Sequence, residues 1–145
     1  MGCGIPAAPN KPMTKENKYG ESREAPLFKA TKRLLYDIDD LQNFLQRDKK
    51  HTHGQHMLNI VLEMLSCVSF AYDFPNERAE RLKRYLTLYN NLCTILEMCE
   101  KKGYLIHKGR NYYVELLQPL GIAHRQAKGW LANTTKSESA DGNAE

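Results

Sequence analysis

The chain has no long apolar run. No stretch approaches the roughly 18 residues that cross a bilayer as a helix, and no membrane role is expected. The start, "MGCGIPAAPNKP", lacks the apolar core of a secretory signal. Pro6 also stands where a myristoylation signal wants Ser or Thr. A soluble, cytoplasmic protein is expected. Cysteines are few: Cys3, Cys67, Cys93 and Cys99, with no CxxC pair among them. That spacing argues against a zinc ribbon or a dithiol redox motif. The last three sit in apolar helical patterns and read as buried free thiols of a reducing compartment. Neither GxGxxG nor GxxxxGK[ST] occurs, which removes the common nucleotide-binding fingerprints. Glu-x-x-His repeats are absent, so the chain is not a di-iron bundle. No strand pattern competes with the helical ones.

Positive charge is unevenly spread. The net charge is +4 over 145 residues. Residues 1–26 hold four Lys/Arg against three acids, residues 27–133 hold 16 against 11, and residues 134–145 hold one against three. The apolar part of the chain is therefore the basic part. Such a domain suits an acidic partner such as nucleic acid.

Apolar residues recur at helical spacing in four stretches. The first begins at Pro26, a residue suited to a helix's first turn, and carries Leu27, Phe28, Thr31, Leu34, Leu35, Ile38, Leu41, Phe44 and Leu45. The second runs from Met57 to Tyr72 with Glu63 its only charged residue, so it should be buried on more than one side. Pro75 ends it, and Asn76 is placed to cap the third. The third starts in "ERAERLKR" and closes in "EKKG", where Gly103 suits a left-handed position. "YLIHKGRN" then connects to the fourth, from about Asn111 to Leu131. Pro119 lies inside it and predicts a kink or a break into two helices. An all-α fold follows, best packed as an antiparallel up-down-up-down four-helix bundle over residues 26–133. Residues 1–25 read as a flexible arm and 134–145 as a disordered tail.

Two clusters carry candidate chemistry. "KKHTHGQHM" holds Lys49, Lys50, His51, His53 and His56 at the corner before the second helix, where Gly54 is expected to help the chain turn. His53 and His56 have helical spacing, but no further ligand stands near them on that face, so they read as solvated histidines and not a metal site. The second cluster is Arg78, Arg81, Lys83 and Arg84. Arg78, Arg81 and Arg84 share a face, where they either track phosphates or pair with Glu77 and Glu80. Asp37, Asp39 and Asp40 have no His or Lys partner for acid–base work, and Ser66 and Ser69 have no base. No enzymatic activity, cofactor or metal is expected.

The order "PLFKATKRLLYDIDDL", basic corner, "MLNIVLEMLSCVSFAY", "ERLKRYLTLYNNLCTIL", "YYVELLQPLGIAHRQAKGWL" resembles a known family. It is the four-helix-bundle family of the accessory variability determinant (Avd) of diversity-generating retroelements. Relatives are proteins encoded by intervening sequences in bacterial rRNA genes. The resemblance spans about residues 26–133; Pro119 and the histidine-rich corner depart from the pattern. It implies a barrel-like homopentamer with a basic surface that binds a reverse transcriptase and its template RNA or cDNA without catalysing a reaction. By position it makes Lys49, Lys50, His51, His53, Arg78, Arg81, Lys83 and Arg84 the nucleic-acid or polymerase contacts. The alternative it leaves is an rRNA-intervening-sequence-type protein-interaction module with no nucleic-acid role.

Overall fold

The computed structural model describes residues 20–144, with side chains as far as 138. Most of the expected N-terminal arm, through residue 19, lies outside the described residues, as does Cys3. The arm's last residues form a 3-10 turn, Glu21–Glu24, and Ala25 enters the core at 8% exposure.

The described chain is mostly helical and bundle-like. Helix α1 (Pro26–Leu41) starts at Pro26 and buries Leu27, Phe28, Thr31, Leu34, Ile38 and Leu41. The apolar pattern continues to Leu45, but the helix does not: a 3-10 turn, Gln42–Phe44, tightens its end. Helix α2 is Gln55–Asp73 and buries Met57, Ile60, Val61, Met64, Cys67, Val68 and Ala71. Its entry is a helical turn, Arg47–Lys49, followed by a π turn, Lys50–Gly54. Helix α3 is Arg78–Lys101, and helix α4 is Tyr112–Ala144. Helix α1 packs against α2 and α4, and α3 packs against the same two. Each apolar stripe thus reaches one shared core.

Several ends differ from the expected ones. Asn76 does not cap α3; it lies in a 3-10 turn, Pro75–Glu77, and Glu77 stands at the cap without a side-chain hydrogen bond. Asn111 caps α4 instead, its Oδ1 accepting from the N–H groups of Tyr113 and Val114 at 3.1 and 3.3 Å. Gly103 does take the left-handed conformation, φ 77°. The Tyr104 N–H donates to the Cys99 carbonyl and the Gly103 N–H to the Glu100 carbonyl, which closes α3 in a Schellman motif. Pro119 does not break α4: the helix runs unbroken through it, and on through the stretch read as a tail. Leu116, Leu120, Ala123 and Ala127 are buried on both sides of Pro119. A break would expose that stripe, which outweighs one missing backbone hydrogen bond.

The α3–α4 connection also holds the only strands among the described residues. Strand β1 (Ile106–His107) pairs antiparallel with β2 (Arg110–Asn111), Ile106 opposite Asn111 and His107 opposite Arg110. Lys108 and Gly109 turn the hairpin with φ 49° and 80°. Positive φ at both positions is the turn that matches strand twist. Periodicity cannot reveal two-residue strands, so the segment reads only as a connection from sequence.

Gly54 serves a different purpose from the expected chain reversal. Its backbone is helical, φ −62°. It is a glycine because a Cβ there would overlap the Gln42 side chain, whose Oε1 and Cδ lie against it. Gln42 is itself buried and donates from Nε2 to the Ile38 carbonyl at 3.1 Å. The end of α1 and the entry to α2 are thus fitted to each other.

Deep in the core, Thr31 Oγ1 donates to the Leu27 carbonyl at 2.7 Å. Its single proton is then used, so the Tyr85 hydroxyl donates to Thr31 Oγ1, also at 2.7 Å. This bond ties α1 to α3 across the core. Burial pushes the Tyr85 phenol up from 10.0 to about 12.

Two outcomes follow from this packing. Gly54→Ala should lower stability in urea denaturation, overpacking of roughly 1–3 kcal/mol being partly offset by about 1 kcal/mol of helix propensity, and should be neutral or stabilising in a Gln42→Ala background. At Tyr85, folded and unfolded states are both protonated below about pH 10. Between there and about 12 only the unfolded state ionises, so this phenol's contribution is lost as pH rises through that window. Tyr85→Phe should cost about 1 kcal/mol at neutral pH and make the alkaline fall of stability shallower.

Candidate nucleic-acid interface

The eight candidate residues fall into two groups at opposite ends of α2. A helix rises about 1.5 Å per residue, so Gln55 and Ala71 are about 24 Å apart along it. Lys49, Lys50, His51 and His53 stand at its entry. Arg78, Arg81 and Arg84 meet its middle and later turns, and Lys83 lies beside them on α3.

The second group is occupied. Arg78 Nε donates to the Ala71 carbonyl at 2.8 Å, and its Nη2 to the Tyr72 carbonyl at 3.4 Å. Its guanidinium also lies over Trp130, 5.3 Å from the ring centre. Those bonds satisfy carbonyls left unpaired where α2 ends. Arg81 stacks on Phe70 at 4.0 Å. Arg84 donates from Nε and Nη2 to Glu63 Oε2, at 3.2 and 2.6 Å. Lys83 approaches Glu80 at 3.8 Å. A surface groove of about 410 Å³ runs here, and Glu63, Glu77 and Glu80 line it beside Arg81 and Arg84. A phosphate entering it meets three carboxylates and two guanidiniums.

The first group has few acids around it. Lys50 and His51 are exposed. Lys49 lies 3.4 Å from Asp48 and 5.2 Å from the centre of the Tyr104 ring. The Tyr104 hydroxyl first, and Asp48 after it, hold the Lys49 ammonium above its ordinary range, so it stays charged. His53 stacks on Tyr104 at 6.2 Å. Phe44 meets His107 at 4.8 Å and Tyr112 at 4.7 Å. The corner before α2 and the α3–α4 connection therefore meet at one end of the molecule.

That meeting assembles residues absent from the expected set: Arg47, Lys101, Lys102, Lys108 and Arg110. Residues 47–56 and 100–111 together hold seven Lys/Arg against Asp48 and Glu100, a net +5. The whole chain carries +4, so the remainder is slightly acidic. A charge count over "EKKGYLIHKGRN" points to this segment, but as a helix stop and a connection it gives no sign of sharing a surface with the corner. Of its cations, Arg110 is bound to Glu115, at 2.6 and 3.0 Å.

Other chemistry is sparse. Among the described residues no three His, Cys, Asp or Glu side chains gather to hold a metal ion. No described helix is long and apolar enough to cross a membrane. Cys67 and Cys99 are buried and Cys93 half-buried, all as free thiols. Burial pushes all three thiols up, which disfavours the reactive thiolate.

Arg78 is thus placed as a structural clamp. Arg78→Lys keeps the charge but loses the planar fork, so it should lower the melting temperature, with a cost of about 1 kcal/mol. The reverse substitution at exposed Lys50, Lys50→Arg, should leave melting unchanged.

No family model, curated protein or solved structure matches the chain.

Proposed function

We propose that this protein is a non-catalytic, nucleic-acid-binding accessory subunit. The observation that carries the reading is the net +5 of residues 47–56 and 100–111, of which one charge, Arg110, is paired with Glu115 outside those segments. Phosphate contacts release counterions and add with each charge neutralised, so clustered lysines bind a polyanion where scattered ones do not. The sequence resemblance narrows the role to a diversity-generating retroelement. The partners would be its reverse transcriptase and template RNA or cDNA, and the protein would support mutagenic cDNA synthesis.

The proposed architecture is the antiparallel up-down-up-down bundle. Contacts of Arg78 with Ala71, Arg84 with Glu63, His124 with Tyr89 and Trp130 with Arg78 support opposed neighbours. Assembly as a homopentamer is part of the proposal. Leu62, Tyr72 and Phe74, on and just after α2, stay 49%, 36% and 50% exposed, which supports a further apolar contact there. Such a ring repeats the basic end in every subunit.

The second reading, a protein-interaction module with no nucleic-acid role, is favoured by the paired state of Lys83 and Arg84. Charge reversal separates the two. Lys50→Glu/Lys101→Glu/Lys102→Glu should weaken binding of a labelled RNA of roughly 20 nucleotides and flatten the salt dependence, by about 0.7 in log–log slope per lost contact. Arg81→Glu/Arg84→Glu should have the smaller effect. Unchanged RNA binding by a folded triple variant would favour the interaction module.

A further inference from the structure

The hairpin Ile106–Asn111 presents two side chains that its own folding does not need. Its base is firmly held. Leu105 is 1% exposed, and its carbonyl accepts from the Tyr112 N–H at 2.9 Å. His107 and Arg110 are opposite each other in the ladder, so they share a face. That face is engaged: His107 lies against Phe44, and Arg110 against Tyr112 and Glu115.

Lys108, at the tip, is left over. It enters no ion pair found among the described residues. Its φ of 49° is the left-handed conformation, which costs a lysine more than it would cost Asn or Gly. Turn chemistry prefers Asn-Gly at these two positions, and the chain has Lys-Gly. A local rule broken without local compensation points to use of the side chain elsewhere. Ile106 is also left over. It projects from the ladder face opposite His107 and is 57% exposed, close in sequence to Lys101, Lys102, Lys108 and Arg110. A phosphate gains nothing from an isoleucine.

We propose that the hairpin tip selects single-stranded nucleic acid: Lys108 contacts a phosphate, and Ile106 contacts the face of an unpaired base. This rests on the nucleic-acid reading above and names the form of the ligand. Duplex RNA hides its base faces in the stack, and its major groove is too narrow and deep for side chains to read. Only unpaired bases offer Ile106 an apolar partner beside the phosphates that the lysines neutralise.

The test uses the full chain and two labelled RNAs of the same length, roughly 20 nucleotides. One is unstructured and the other a fold-back duplex; binding is followed by fluorescence anisotropy. The wild type should prefer the unstructured RNA. Lys108→Asn should melt at or above the wild-type temperature, yet bind both RNAs roughly three- to tenfold more weakly. Ile106→Ser should weaken the unstructured RNA roughly three- to tenfold and leave the duplex unchanged. A lower melting temperature for Lys108→Asn, wild-type affinity in that variant, or an equal effect of Ile106→Ser on both RNAs would overturn the proposal. If the wild type binds neither RNA, the nucleic-acid reading falls as well. If it binds both and the variants match it, only the role of the hairpin falls.

Discussion

Leu34, Val61, Leu92 and Ala123, one from each helix, are all fully removed from solvent. None stays dry unless the other helices cover it, because a single amphipathic helix cannot bury its own stripe. The shared core therefore sets where the rest of the chain goes. Apolar stripes occupy the lengths of the helices, so the connections and their charges are displaced to the ends. The Thr31–Tyr85 hydroxyl pair adds register to a contact that is otherwise non-directional. Two buried hydroxyls satisfy each other only when α1 and α3 stand at one relative height.

Electrostatics follows from that displacement. The entry to α2 and the α3–α4 connection meet around Tyr104 and Phe44. Their cations outnumber nearby acids, and mutual repulsion is tolerated because the side chains are long and mostly solvated. Around the middle and later turns of α2 the opposite arrangement holds. There Arg78, Arg81 and Arg84 are held by carbonyls, an aromatic ring and a carboxylate. Cations of the same kind thus do different work. One set closes the structure, and the other leaves a field at the surface.

Much of the fold is legible from spacing. Residues three and four apart mark the buried faces of all four helices, and "EKKG" marks the end of α3. What spacing does not convey is side-chain fit. Gly54 reads as a flexible turn residue, yet its backbone is helical and its smallness answers to Gln42, a neighbour in space. Pro119 reads as a breaker by its local chemistry, yet the buried stripe on either side holds α4 together. Arg81 and Arg84 share a helical face as their spacing requires, but Phe70 and Glu63 on another helix determine what that face presents. Half of the basic end is illegible in the sequence for the same reason: Lys101, Lys102 and Lys108 join Lys49 and Lys50 only through tertiary contact.

The sequence by itself determined the helical class, the faces that turn inward, the absence of a spanning helix among the described residues, and the positive balance of the apolar segment. Those properties are local or additive, so they survive without knowledge of neighbours. The tertiary structure alone decided which cations are neutralised and which are free, why position 54 is glycine, how α4 passes Pro119, and that two distant basic segments form one surface. Each of these depends on distances between residues far apart in the chain. Coulomb energy, hydrogen bonding and steric overlap all act through space, and sequence separation does not enter them.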